Sequence, residues 1–143
     1  MALNDCIAAF NGHLRAAVTL VERYSPGDED VRRGSQRIRL ALDCLPTSGA
    51  EILGPQLLRH GAAIERLDRR EAGADAFFLE RDYNPDALPG LGEESRAGLG
   101  VLIPRLRAFF RGLPGAEQDA VRALIVDLYY TYVEYAIAAA GAP

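Results

Sequence analysis

The chain has 143 residues, of which 49% are hydrophobic and 25% are charged, a balance typical of globular proteins and not of disordered chains. All sixteen basic residues are arginine, against twenty acidic residues, and the formal net charge is −4. This charge argues against a protein built to hold nucleic acid, because cationic contacts to phosphate supply most of that affinity. A chain of this length has enough surface to bury for one core, so we expect a single helical-bundle domain over residues 1–143.

The two cysteines, Cys6 and Cys44, are too few for a disulfide scaffold and indicate a reducing compartment. The N-terminal residues lack the basic start and the continuous apolar run of a signal peptide. The most apolar stretch, 123–140, contains Asp127 and Glu134, each of which is costly at bilayer depth. The sequence therefore predicts a soluble, cytoplasmic protein with no membrane span.

Apolar residues recur at three- and four-residue steps along most of the chain, which is the spacing of amphipathic helices. A first helix begins near Leu3 and ends before residues 25–27, because proline cannot continue a helix. Asp28 is placed to cap a second helix, which continues until Pro46.

Ser48 and Glu51 have the spacing of a capping box and predict the start of a third helix. The apolar face of this helix extends to about Arg70. Pro55 lies within it, where it predicts either a kink or the start of a new helix after a short first turn.

The second half of the chain contains a predicted loop over 83–92, with two prolines and two glycines, and a helix over 93–112 that Pro104 should bend. The last helix, about 116–140, is the longest and is apolar nearly all round, which is typical of a helix at the centre of a bundle or against a second subunit. The sequence predicts an all-α, compact bundle of five to six helices, two of them kinked at Pro55 and Pro104, with a long and mostly buried C-terminal helix.

The last helix also contains the candidate interface residues. Aromatic residues are enriched at protein interfaces, and this helix holds four tyrosines: Tyr129, Tyr130, Tyr132 and Tyr135. We therefore predict that the protein acts by protein–protein interaction and self-associates through this helix as a homodimer. The alternative is that one chain buries most of these rings in its own core.

Asp127, Tyr130 and Glu134 share one face of that helix, at spacings of three and four residues. Directed into a cleft with His13 or His60, they would bind a ligand or perform acid–base chemistry, which is the alternative function. Charged residues are rarely buried, so we favour a solvated edge and do not expect an enzyme. Neither histidine follows a glutamate by three residues, as a di-iron bundle requires, and we expect no cofactor.

A calcium site is a further candidate, within the predicted loop. Its oxygen ligands have the spacing of an EF-hand, at positions one, three, five and twelve: Asp82, Asn84, Asp86 and Glu93. Ala87 stands where that loop needs a glycine, so we favour turn-forming residues as the explanation.

Arginines supply the remaining candidates. Arg107 and Arg111 lie in the last turns of their predicted helix, where cations interact favourably with the helix dipole, and they would also bind a phosphate or a partner carboxylate. Elsewhere the four-residue spacing of acids and arginines predicts ion-paired solvent faces, formed by Asp28–Arg32, Glu29–Arg33, Glu65–Arg69 and Arg39–Asp43.

Overall fold

The structure is a computed structural model that describes residues 2–75 and 105–141. Within these residues every regular element is a helix, which confirms the predicted all-α bundle. The helices are α1 (Leu3–Tyr24), α2 (Glu29–Cys44), α3 (Ser48–Arg59), α4 (Gly61–Asp68), α5 (described over 105–110) and α6 (Gly115–Ala140). Pro104, where a kink is predicted, lies outside the described residues.

Helix α1 is amphipathic and buries one line of side chains spaced at three and four residues: Cys6, Phe10, Leu14, Val18 and Val21. The turn that follows needs a left-handed backbone at Gly27, where φ is 79° and a side chain would be strained. The chain therefore reverses at the predicted position, between α1 and α2.

Asp28 begins α2, as predicted. Its carboxylate accepts hydrogen bonds from the backbone N–H groups of Asp30 (3.0 Å) and Val31 (3.2 Å), two donors that the first turn of a helix leaves without a partner. The inner face of α2 then buries Val31, Ile38 and Leu42.

The start of α3 differs from the prediction. Thr47, not Ser48, is the N-cap residue, and no side chain caps this helix. Ser48 is already helical, and its hydroxyl donates instead to the carbonyl oxygen of Ala41 in α2 at 3.4 Å. The capping box predicted for Ser48 and Glu51 is therefore wrong.

Pro55 lies inside α3, which continues beyond it to Arg59, so no helix begins at the proline. The break falls at His60, whose ψ of 15° departs from helical geometry and separates α3 from α4. One predicted helix extending to about Arg70 is thus two helices, the second ending at Asp68.

Helix α6 packs against α1, α3 and α4 and so joins most of the bundle. It contributes Val121, Val126, Leu128 and Tyr129 to the core. Its opposite side is exposed. Within the two described stretches, no helix has a segment that is both long and apolar enough to cross a bilayer.

Candidate functional site

The inner face of α6 uses its tyrosines to pack against the same chain. The ring of Tyr132 lies so close to Gly54 in α3 that an ideal Cβ at residue 54 would be 2.0 Å from Cε1 of the ring. The same ring meets Phe10 of α1 edge-on, with centroids 6.4 Å apart, and Tyr135 lies beside it at 5.8 Å. Tyr132 thus fills the space between α1 and α3.

Tyr129 is packed in a similar way against α4. An ideal Cβ at Gly61 would be 2.8 Å from the Tyr129 hydroxyl, which donates a hydrogen bond to Oε1 of Glu65 at 3.4 Å. The pKa of Tyr129 is raised above its ordinary value, mainly by burial and secondly by the negative charge of the Glu65 carboxylate. Tyr129, Tyr132 and Tyr135 therefore pack within their own chain, which is the alternative considered for the predicted interface tyrosines.

The outer face of α6 presents a line of exposed residues that we call the outer stripe: Asp127, Tyr130, Glu134 and Ile137. Successive members are three or four residues apart, so they lie along one side of the helix. Ile137 is 69% exposed and Tyr130 is 41% exposed, so the stripe presents an apolar and an aromatic side chain to solvent. The Tyr130 hydroxyl donates to Oδ2 of Asp68 at 3.2 Å, which fixes the ring on the surface.

The exposure of Asp127 and Glu134 bears directly on the catalytic alternative. That alternative needs the two carboxylates and the Tyr130 phenol inside a cleft, where loss of solvent would shift their pKa values. Here all three groups are at the surface, and the histidines lie on other elements, His13 in α1 and His60 between α3 and α4. These three residues form a solvated edge and no enclosed pocket.

The arginine candidates lie near the end of α5. Arg107 is half-buried within the helix, and Arg111 is exposed just after it. Their proposed binding of phosphate or carboxylate stays a prediction. Their neighbour Arg105 donates a hydrogen bond from Nε to Oδ2 of Asp28 at 2.9 Å. This bond is the largest cause of the lowered pKa of the Asp28 carboxyl, and the hydrogen bond from the backbone N–H of Val31 is the second.

The predicted four-residue ion pairs have other partners in the structure. Instead of the expected pairs, Glu29 bonds to Arg32, Arg39 to Glu22, Asp43 to Arg15 and Arg69 to Glu71. Arg33 and Arg37 are exposed on α2, and neither forms an ion pair with a residue that the structure describes. The hydrogen bond from Arg32 is the largest cause of the lowered pKa of the Glu29 carboxyl, and the charge of Arg33 also contributes to it.

Two cavities lined by described residues adjoin the core. The larger, about 310 Å³, lies between the end of α4 and the start of α6, where Arg122 bonds to both Asp75 (2.7 Å) and Asp119 (2.7 Å). The smaller, about 30 Å³, has a mainly apolar lining from α1, α2 and α3, and it is about large enough for a single water molecule. The charge of Arg122 is already compensated, whereas Arg70, which also lines the larger cavity, forms no ion pair with a residue that the structure describes.

Among the residues that the structure describes, no three His, Cys, Asp or Glu side chains are arranged to hold a metal ion. The predicted calcium ligands lie outside those residues: Asp82, Asn84, Asp86 and Glu93.

The outer stripe is the candidate binding surface, because it combines exposed apolar side chains with charges in one line.

Comparison of the chain with protein-family models, with curated proteins and with solved structures finds no match.

Proposed function

We propose that this protein acts by binding, and that it binds a second copy of itself through the outer stripe of α6. The observation that carries the proposal is the exposure of Ile137 and Tyr130 on one line of the helix. Asp127 and Glu134 alternate with them at three- and four-residue steps. Exposed apolar side chains with charged residues beside them are typical of surfaces that contact another protein.

The contact is expected to be weak and reversible. Most large apolar side chains of α6 already pack against α1, α3 and α4, which leaves Tyr130 and Ile137 as the apolar part of the outer stripe. Stable dimers bury much larger surfaces, so a stripe of four residues supports a transient association.

The proposal includes a cytoplasmic location. Cys44 is a free thiol and is exposed. An exposed free thiol suits a reducing compartment, because an oxidising one would convert it to disulfides with other thiols.

Sedimentation equilibrium of the Ile137→Glu variant tests the proposal. The weight-average mass of the wild-type chain should rise above the 15.5 kDa of one chain as concentration increases, and that of the variant should not. Leu58→Glu is the matched control, because Leu58 is another exposed apolar residue, on α3. A wild-type chain that stays at 15.5 kDa at high micromolar concentration would overturn the proposal, as would equal association of both variants.

A further inference from the structure

Helix α2 presents a second line of exposed residues that we call the basic stripe: Arg33, Arg37 and Leu40. Leu40 is 60% exposed, and the two guanidinium groups form no ion pair with the described residues. We infer that the basic stripe of one copy is the surface that receives the outer stripe of the next copy. This inference rests on the proposed function and names the partner surface for it.

Three of the four residues of the outer stripe meet a complementary residue of the basic stripe. A parallel alignment of the two helices can set Ile137 opposite Leu40. Glu134 then comes opposite Arg37, since each lies three residues before its apolar neighbour. One four-residue step further, Tyr130 comes opposite Arg33. The alignment therefore joins two apolar side chains, a carboxylate to a guanidinium, and an aromatic ring to a second guanidinium.

Charge disfavours the simpler arrangement, in which two outer stripes pair with each other. Beyond Arg122, α6 has no basic residue, so such a pairing would bring Asp127 and Glu134 of both copies together. Arg69, which follows α4, is already bonded to Glu71. The basic stripe supplies the positive charge that the outer stripe lacks.

One chain cannot join its own two stripes. Helices α2 and α6 both pack against α1, and no substantial contact connects them directly. Each copy therefore uses its outer stripe toward one neighbour and its basic stripe toward another. An interface of this head-to-tail type grows into a ring or an open chain and does not stop at a symmetric dimer.

Complementation between two variants tests the inference. Ile137→Glu disables the outer stripe and leaves the basic stripe intact, and Leu40→Glu does the reverse. Each variant alone should sediment as a single chain. An equimolar mixture should form one intact contact per pair, so its mass should approach twice that of one chain and rise no further. Both positions are exposed, and an unchanged helical circular dichroism spectrum confirms that each variant is folded.

The outcomes separate the inference from the proposed function. If Leu40→Glu associates like the wild type and Ile137→Glu does not, the outer stripe has another partner surface and only the inference falls. If both variants are monomers and their mixture is too, the two stripes do not meet, and the inference again falls. If neither substitution changes association, the proposed function falls with it.

A charge exchange tests the register. Glu134→Arg and Arg37→Glu should each reduce self-association at least several-fold, because each places like charges opposite each other. Both substitutions in one chain should restore association, since the exchanged charges are again complementary between copies. A double variant that associates no better than the single ones would overturn the register.

Discussion

The ring of Tyr132 occupies the space that a side chain at Gly54 would need: an ideal Cβ there would lie 2.0 Å from Cε1 of the ring. Alanine in a helix interior is ordinarily about 1 kcal/mol more favourable than glycine. At residue 54 the ring must move instead, and overpacking of this kind costs about 1–3 kcal/mol. Gly54→Ala should therefore lower the free energy of unfolding, measured by urea denaturation.

Gly12→Ala is the matched control for this substitution. Gly12 lies within α1, and nothing lies within 4 Å of a Cβ built there, so alanine should raise the free energy of unfolding. If Gly54→Ala stabilises the chain as much as Gly12→Ala does, α3 and α6 are not packed as closely as described.

Gly61→Ala should be less destabilising than Gly54→Ala. The atom nearest to a Cβ at residue 61 is the Tyr129 hydroxyl, at 2.8 Å, and this end of the side chain can move away. In a Tyr129→Phe background that oxygen is absent, so the same substitution should cost less. A double-mutant cycle measures the difference, and strict additivity would contradict the contact.

Ser35→Ala should stabilise the fold or leave it unchanged. Ser35 is fully buried in α2, and its hydroxyl has no hydrogen-bond partner among the described residues. A buried hydroxyl without a partner costs about 1–3 kcal/mol, and alanine also favours the helix. Thermal unfolding checks this expectation, and a clear loss of stability would mean that the hydroxyl does have a partner.

Asp75 should make the stability of the fold depend on acid pH. Hydrogen bonds from Arg122 lower the pKa of the Asp75 carboxyl below 3.8, so its ionised form is favoured in the folded chain. The stability that the ionised carboxylate adds to the fold is complete above the ordinary pKa of aspartate, and it is lost as the pH falls through the lowered pKa of the folded chain. The melting temperature of Asp75→Asn should therefore fall less steeply below about pH 4 than that of the wild type. Parallel curves would contradict this linkage.

Asp127→Asn should strengthen self-association. The register that sets Glu134 opposite Arg37 also sets Asp127 opposite the exposed Asp30 of the next copy, which is a like-charge contact. Removing one charge should raise the weight-average mass in sedimentation at a given concentration. Weaker association than in the wild type would mean that Asp127 faces a cation.

Apolar periodicity was sufficient to predict that the chain is helical, and residue type was sufficient to predict the cap at Asp28, because both depend on neighbouring residues. Neither could predict which charges meet. The rule for acids and arginines four residues apart is local, whereas the Arg105–Asp28 bond joins residues 77 positions apart. The break at His60 was also missed, since the residue that signals an interruption, Pro55, lies five residues before it.

The candidate site was predictable only in part. The sequence places Asp127, Tyr130 and Glu134 on one face, and the structure has all three exposed. The roles of the other tyrosines depend on Gly54 and Gly61, which create space for rings from a distant helix. A glycine in sequence does not reveal which side chain will fill the space beside it, so an interface and a core remained equally consistent with the pattern.

The central claim, that the outer stripe of α6 contacts a second copy, is tested most directly by a spin label. Cys44→Ser removes the exposed thiol, Cys6 is buried, and Ala140→Cys adds a single reactive site at the end of α6. This labelled chain is mixed with isotope-labelled wild-type chain, whose amide signals are then recorded by NMR. We predict paramagnetic broadening in α2 of the wild-type chain, strongest around Leu40 and Asp43. An unchanged spectrum at high micromolar concentration would contradict the claim.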